Sequence, residues 1–197
     1  RDIAATLPAT LQLTAGALAV GLVLGVPSGI ASAVWRNSAV DPVTRVLTLF
    51  GLSFPSFWLG TLLILFASMY VPWLFALGYV SPWVSPAGSL KAVLLPALAL
   101  GLPLSAIVMR MLRSSMLDVL GEDYVRTARA KGLTERAVIL GHVVKNAAIP
   151  VITIVGLHVI QLLGGAIIIE DLFVFPGIGR LGVHAIYQRD YPVLQAV

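Results

Sequence analysis

Long gaps between charged residues limit what this chain can fold into. No Asp, Glu, Lys or Arg occurs in four stretches, 3–35, 46–90, 92–109 and 146–169. A helix needs about 20 apolar residues to cross the hydrocarbon core of a bilayer. We therefore predict four membrane-spanning helices, near Ala9–Val34, Val46–Tyr70, Ala92–Met116 and Ala147–Ile169.

The composition agrees with burial in lipid. Of the 197 residues, 58% are hydrophobic and 11% are charged, whereas roughly a quarter of the residues of a soluble domain are charged. Lipid offers the backbone no hydrogen-bond partner, so each span must be helical. The absence of cysteine excludes disulfides and thiolate chemistry. The predicted fold class is all-α, a polytopic transmembrane helical bundle in which residues 1–197 form a single domain.

The basic residues predict the topology, because Lys and Arg concentrate on the cytoplasmic side of membrane proteins. Nine of the 13 fall on one side of the predicted spans: Arg36, Arg45, Arg110, Arg113, Arg126, Arg129, Lys131, Arg136 and Lys145. The other four are Arg1, Lys91, Arg180 and Arg189. We therefore place the loop 118–146 in the cytoplasm and the segments 71–91 and 170–191 outside. Charges beside spans also explain the net charge of +4 without a nucleic-acid partner.

The two ends of the sequence fit a longer bundle. Arg1, placed outside, follows neither a signal peptide nor an initiating Met. A hydrophobic run that starts at Tyr191 stops at Val197. We expect one further span at each end, which gives six spans and puts both termini in the cytoplasm.

Prolines and glycines interrupt the predicted spans. Five prolines are expected to kink them, either to let a transporter open to alternate sides or to shape a static bundle: Pro27, Pro55, Pro96, Pro103 and Pro150. The stripe Gly21, Gly25 and Gly29 lets helix backbones approach closely. We expect this stripe to pack within the bundle or against a partner subunit.

Five polar residues lie deepest in the predicted spans: Ser53, Ser56, Ser105, His158 and Gln161. Polar groups at membrane depth usually face the bundle interior or a watery cavity. These residues are therefore candidates for lining a translocation path. The alternative is local satisfaction, as when a helical Ser donates to its own backbone carbonyl.

Two segments outside the spans carry distinctive residues. Glu170 and Asp171 are neighbours and point apart on a helix, so an interfacial loop that re-enters the bundle explains them better than paired acid–base catalysis.

Four aromatic residues fit an interfacial belt or a docking surface for an external partner: Trp73, Phe75, Tyr79 and Trp83.

The cytoplasmic loop contains a short predicted helix over 122–132. Acidic residues open this segment and basic residues close it, in the order that complements a helix dipole. These residues are Glu122 and Asp123 at the start and Arg129 and Lys131 at the end. Gly132 suits the position just past a helix end.

The same helix has a small apolar face formed by Tyr124, Val125 and Ala128. A short helix of this kind suits a groove on another protein. It equally suits a position on anionic lipid headgroups. A second helical stretch, Thr134–Lys145, is predicted to lead back to the membrane.

The loop resembles the conserved cytoplasmic loop of ABC importer permeases, whose general pattern is Glu-Ala-Ala, three residues and then Gly. Arg126 and Thr127 depart from this pattern, whereas Ala128 and Gly132 match it. The run Tyr-Val-Arg-Thr-Ala-Arg-Ala-Lys-Gly at 124–132 resembles the peptide-importer branch. Further similar positions are His142, Lys145, Asn146, Ala147, Pro150, Glu170, Phe173, 176–179 and 189–192. The segment 51–60 is similar to the B-type subunit of dipeptide and oligopeptide permeases.

The resemblance implies a type I ABC importer permease fold, a bacterial cytoplasmic membrane and a di- or oligopeptide cargo, although members of the family also carry nickel or haem. The implied partners are a C-type permease, two cytoplasmic ATP-binding subunits that use Mg-ATP, and an extracytoplasmic substrate-binding protein. The chain itself is expected to bind no cofactor. The implied ATPase-coupling residues are Glu122, Asp123, Tyr124, Arg126, Thr127, Ala128, Arg129, Lys131 and Gly132. A bulky residue at Ala128 or Gly132 is predicted to uncouple transport.

Two other functions are compatible with a membrane bundle. A secondary transporter usually carries ionisable residues near the centres of its spans, and the predicted span centres carry none. An intramembrane enzyme needs a catalytic motif, and the sequence contains no metal-binding His-Glu-x-x-His, no Gly-x-Ser-x-Gly and no phosphate-binding loop. We therefore expect another chain to hydrolyse the ATP.

Overall fold

The structure is a computed structural model that describes residues 2–74 and 78–196; Arg1, Phe75 and Val197, named above, lie outside the described residues. Every regular element of the described chain is helical, which confirms the all-α class. The helices are α1 Asp2–Val34, α2 Val40–Ser53, α3 Ser56–Tyr70, α4 Pro86–Leu120, α5 Asp123–Ala130, α6 Glu135–Val138, α7 Val144–Gly165, α8 Ile167–Leu172, α9 Ile178–Gln188 and α10 Tyr191–Ala196. A π-helical turn, Ile139–Val143, joins α6 to α7.

Three helical runs are long and apolar enough to cross a membrane: Asp2–Val34, Pro86–Leu120 and Glu135–Leu163. They confirm the first, third and fourth predicted spans as helices. The fourth differs at both ends from the prediction Ala147–Ile169. It starts at Glu135, and α7 ends at Gly165, before the predicted end, because two successive glycines weaken the helix there.

The second predicted span, Val46–Tyr70, is not one helix. α2 starts six residues earlier, at Val40, and ends at Ser53, while α3 starts at Ser56. Pro55 lacks a backbone N–H and lies at the N-cap of α3 in an extended conformation, so the kink predicted there is a complete break. The pair makes a fourth span when it is counted as one. The other four prolines lie inside continuous helices.

The described chain forms two compact units. The first contains Arg1–Val20, Phe54–Pro103 and Val159–Val197. Its core is built around two aromatic side chains, Phe173 and Phe175, that follow α8 and are buried with residues of α1, α3 and α4. The edge of the Phe175 ring meets Tyr79, with centroids 5.6 Å apart. The first part of the predicted segment 170–191 therefore folds back into the interior of this unit.

The second unit contains Gly21–Ser53 and Leu104–His158. The predicted glycine stripe on α1 packs against α4 within it. A Cβ at Gly25 would lie 2.7 Å from the Ser105 carbonyl oxygen, and one at Gly29 would lie 3.1 Å from the Met109 carbonyl oxygen. The missing side chains let the two backbones approach this closely, which confirms the prediction of close packing within the bundle.

Candidate functional site

The short helix predicted in the loop is present as α5. Its eight residues run from Asp123 to Ala130, Glu122 is the N-cap and Lys131 is the C-cap. Asp123 lies in the first turn and Arg129 in the last, which complements the helix dipole. Gly132 has φ +80°, the left-handed conformation that ends a helix and favours glycine. The predicted position of Gly132 just past the helix end is confirmed, although the helix itself is shorter than the predicted 122–132.

The apolar face of α5 is turned into the chain. Val125 is fully buried and Ala128 is 6% exposed, whereas Tyr124 is 42% exposed. Two of the three apolar residues therefore anchor α5 to its own unit and are not offered to a partner. The exposed residues of α5 and its C-cap are Asp123, Tyr124, Arg126, Thr127, Arg129, Ala130 and Lys131.

Two side-chain contacts tie α5 to the residues that follow it. The Arg129 guanidinium donates to both carboxylate oxygens of Glu135, at 2.7 and 3.1 Å. This hydrogen bond raises the pKa of Arg129 above its ordinary value. The Asn146 amide donates to the Tyr124 hydroxyl at 3.0 Å. α5 is therefore fixed both to α6 and to the first turn of α7.

The predicted second stretch, Thr134–Lys145, continues directly into the spanning helix. Thr134 is the N-cap of α6, and its hydroxyl oxygen accepts the backbone N–H of Ala137 at 3.4 Å. The π-helical turn then carries the chain into α7 without a loop. A π-helical turn contains one residue more than an α-helical turn and often marks a functional region.

The five polar residues predicted to line a path lie on four helices: Ser53 on α2, Ser56 on α3, Ser105 on α4, and His158 and Gln161 on α7. The Ser53 hydroxyl donates to the Leu49 carbonyl at 2.7 Å, which is the local alternative. The Gln161 side chain is exposed. The side chains of Ser56, Ser105 and His158 are half-buried. Their role in translocation stays a prediction.

Glu170, which the sequence places in an interfacial loop that re-enters the bundle, is a buried carboxylate that organises the first unit. Glu170 has no exposed surface. One of its oxygens accepts the Thr10 hydroxyl at 2.7 Å and the other accepts the backbone N–H of Arg180 at 3.0 Å. The Thr10 hydroxyl oxygen in turn accepts the backbone N–H of Ile178 at 2.9 Å. Together they satisfy two first-turn donors of α9 and join that helix to α1 and α8.

The glycines that follow Glu170 make room for its carboxylate. A Cβ at Gly177 would overlap the Glu170 carboxyl group, and one at Gly179 would lie 2.6 Å from the Ile167 side chain. The backbone N–H of Phe175 also donates to the Glu170 carbonyl at 2.7 Å. Glycine is therefore required at 177 by close approach to Glu170 and at 179 by close approach to Ile167 and Glu170.

A second buried carboxylate, Asp41, organises the second unit. Arg113 donates to both of its oxygens at 2.8 and 2.9 Å, and Arg45 does so at 2.6 and 3.1 Å. The Ser32 hydroxyl adds a bond at 2.9 Å. The cluster ties α1, α2 and α4 together. Two arginines that the topology prediction used only as charges on the cytoplasmic side thus hold a buried acid.

The sequence offered a signal for only part of these clusters. Asp41 and Arg45 are four residues apart, the spacing at which helical side chains meet. Arg113 and Thr10 have no local signal, because their partners are 72 and 160 residues away. Within residues 2–74 and 78–196, no three His, Asp or Glu side chains form a group able to hold a metal ion.

Comparison with known proteins gives a consistent result. Residues 25–197 match the family described as "Binding-protein-dependent transport system inner membrane component". The chain is 44% identical over 195 residues to the glutathione transport system permease protein GsiC of Escherichia coli strain K12. It is 45% identical to the protein of that name from Salmonella choleraesuis strain SC-B67. Each alignment covers 99% of this chain and 61% of the relative, so the chain spans about three fifths of the length of these relatives.

Proposed function

Since the chain belongs to the family of binding-protein-dependent inner membrane components, we propose that it is the permease subunit of an ABC importer that moves a peptide-like cargo. It is an inner-membrane protein with the type I ABC permease fold. In this proposal a C-type permease completes the path, an extracytoplasmic binding protein delivers the cargo, and two cytoplasmic subunits bind and hydrolyse Mg-ATP.

The observation that carries the proposal is the construction of α5. Its buried residues, Val125 and Ala128, fix it to this chain, while its polar and charged face is exposed and could enter an ATPase groove. The Arg129–Glu135 pair then joins α5 to a helical run that continues into a span without a loop. A displacement of α5 by the ATPase would reach α7 through rigid contacts.

The same arrangement supports ATP as the energy source. ATP binding would favour one of two arrangements of the permease because the ATPases contact α5 differently in each. An ion-gradient transporter would need a buried acid able to exchange its ion. The two acids that are buried in the described part of the chain already have structural partners, two arginines for Asp41, and Thr10 and a backbone N–H for Glu170.

The relatives support a small peptide as cargo. Their names assign them to glutathione transport, and glutathione is itself a tripeptide. We therefore propose glutathione or a peptide of similar size for this chain. The cargo is tested by measuring the uptake of labelled glutathione, dipeptide and nickel by cells that carry the complete transporter. We expect uptake of the peptides, and we expect it to stop when ATP is depleted. Uptake that survives ATP depletion but stops with an uncoupler would refute the proposal.

Replacing Gly132 with valine tests the coupling helix. Gly132 has φ +80° and no atom lies within 4 Å of a Cβ built there, so the substitution strains the backbone without a clash. The strain of about 1–2 kcal/mol should distort the end of α5. We expect substrate-stimulated ATPase activity of the reconstituted transporter to fall about tenfold, with the amount of inserted protein unchanged.

Gly132→Asn is the matched control. It also adds a Cβ, but asparagine tolerates the left-handed conformation. We expect this variant to retain most of the coupling. Wild-type activity in Gly132→Val, or an equal loss in both variants, would argue against the backbone conformation of Gly132 as the basis of coupling.

A further inference from the structure

A rigid turn lies just before α4 in the first unit. The backbone N–H of Val84 donates to the Ser81 carbonyl at 3.1 Å, which closes a β-turn over residues 81–84. Pro82 is the second residue of this turn, a position that its fixed φ favours. The Ser85 hydroxyl accepts a backbone N–H from the first turn of α4 at 3.1 Å and so caps that helix. The 81–84 turn is therefore fixed in itself and fixed to α4.

The 81–84 turn presents two apolar side chains to the outside. Trp83 is 94% exposed and Val84 is 83% exposed. Trp83 is the most exposed large hydrophobic residue in the part of the chain that the structure describes. An indole combines a large apolar surface with one N–H donor, so it suits a pocket that offers an apolar wall and a hydrogen-bond acceptor.

The length of α4 places the 81–84 turn outside the hydrocarbon core. α4 has 35 residues and is about 52 Å long, whereas the core is about 30 Å thick. Residues 92–109 carry no charge and span about 27 Å, so Lys91 marks one edge of the core. Pro86 lies about 7.5 Å farther along the helix axis, and a headgroup layer is roughly 5–7 Å deep. The turn precedes Pro86 and therefore lies at the outer limit of the headgroups or beyond it.

Trp73, in contrast, lies at the level of the membrane interface. The Lys91 ammonium is 5.5 Å from the centroid of the Trp73 ring, a cation–π contact. Since Lys91 marks the edge of the hydrocarbon core, Trp73 fits the interfacial belt. The two alternatives that the sequence left open for the aromatic residues of this segment are thus divided between two tryptophans, and Trp83 is the one that suits an external partner.

We propose that the 81–84 turn docks the extracytoplasmic binding protein and that Trp83 is the central anchor of this contact. α4 starts beside this turn and ends just before α5, so the turn lies on the opposite side of the membrane from the helix proposed to contact an ATPase. The family of the chain is described as binding-protein-dependent. Tryptophan is enriched among the residues that dominate protein interfaces, and a rigid turn loses little conformational freedom on binding. The inference rests on the proposed function and names one of its partner surfaces.

Replacing Trp83 with alanine in the complete transporter tests the proposal. The transporter is reconstituted in nanodiscs, and the affinity of its own purified binding protein is measured by surface plasmon resonance. We expect W83A to weaken binding about 30-fold, the loss typical of a central tryptophan. W35A is the matched control, because Trp35 is also exposed but follows α1 on the predicted cytoplasmic side. Its affinity should equal that of the wild type.

The possible contrary results have different meanings. Wild-type affinity in W83A, or an equal loss in W35A, would overturn the docking site and leave the proposed function intact. A wild-type transporter that binds no extracytoplasmic protein would count against the proposed function and the docking site together. Loss of another permease subunit from purified W83A would assign the turn to an interface between permeases and overturn the proposal.

A fluorescence measurement separates a protein partner from the lipid. The emission of Trp83 is obtained as the difference between the wild type and W83F in the same nanodiscs. Phospholipids with brominated acyl chains should leave this difference unchanged, because the indole lies outside the hydrocarbon core, and addition of the binding protein should shift it to shorter wavelength. Quenching by the brominated lipid would place Trp83 in the bilayer and overturn the proposal.

Discussion

Replacing Asp41 with alanine is expected to lower the free energy of unfolding by about 3–5 kcal/mol, the usual cost of removing one partner from a buried ion pair. Asp41 is 3% exposed and the Arg113 side chain is 19% exposed, so a largely buried guanidinium loses its carboxylate. Arg45 contributes less, because its side chain is 59% exposed and solvent screens it. Denaturant titration of the solubilised protein, followed by tryptophan fluorescence, measures the change.

Two further variants separate the ion pair from a general loss of charge. Asp118 is exposed at the end of α4, so Asp118→Ala should leave the free energy of unfolding nearly unchanged. The double variant D41A/R113M removes both charges and should regain much of the stability, because apolar replacement of a whole buried pair is often near neutral. Equal stability of D41A and D118A would show that the cluster contributes nothing.

Replacing Gly177 with alanine is expected to cost about 3 kcal/mol or more. The new methyl group would overlap the Glu170 carboxyl group. Overpacking alone costs about 1–3 kcal/mol. Moving the carboxyl group also weakens its hydrogen bonds with Thr10 and with the Arg180 backbone, worth about 0.5–1.5 kcal/mol each. The same denaturant titration measures the loss.

Gly156→Ala is the matched control. Gly156 lies inside α7, and no atom lies within 4 Å of a Cβ built there. Alanine in a helix interior should stabilise the protein by about 0.5–1 kcal/mol, the opposite sign. In a Glu170→Ala background, Gly177→Ala should cost less free energy of unfolding, because the carboxyl group that the new methyl group overlaps is absent. If Gly177→Ala costs as much in the Glu170→Ala background as in the wild type, the loss of stability comes from the backbone of Gly177 and not from overlap with Glu170.

The features that the sequence predicted well have local causes. A run of about 20 apolar residues can hardly be anything but a spanning helix, and α1, α4 and α7 follow from that alone. α5 follows from acids at its start, bases at its end and Gly132 just beyond it. Each of these signals lies within a few residues of the structure it determines.

Other features depend on neighbours that the sequence does not reveal. The pattern of Tyr124, Val125 and Ala128 indicated an apolar face, but not that the chain itself covers two of its members. Pro55 indicated a kink, and the difference between a kink and a break depends on what replaces the lost hydrogen bonds. The prediction of empty span centres gave no hint that acids near the span ends are buried and hydrogen-bonded.

The two carboxylate clusters also set an order of events during synthesis. Arg45 follows Asp41 by four residues and is available at once, whereas Arg113 emerges 72 residues later. At about 5–20 residues per second the second arginine arrives roughly 4–14 s after the acid. The delay between the synthesis of Thr10 and that of its partner is longer still, because Glu170 lies 160 residues downstream. The Asp41 cluster between α2 and α4 can therefore form well before Glu170, which links α1 to α9, has been synthesised.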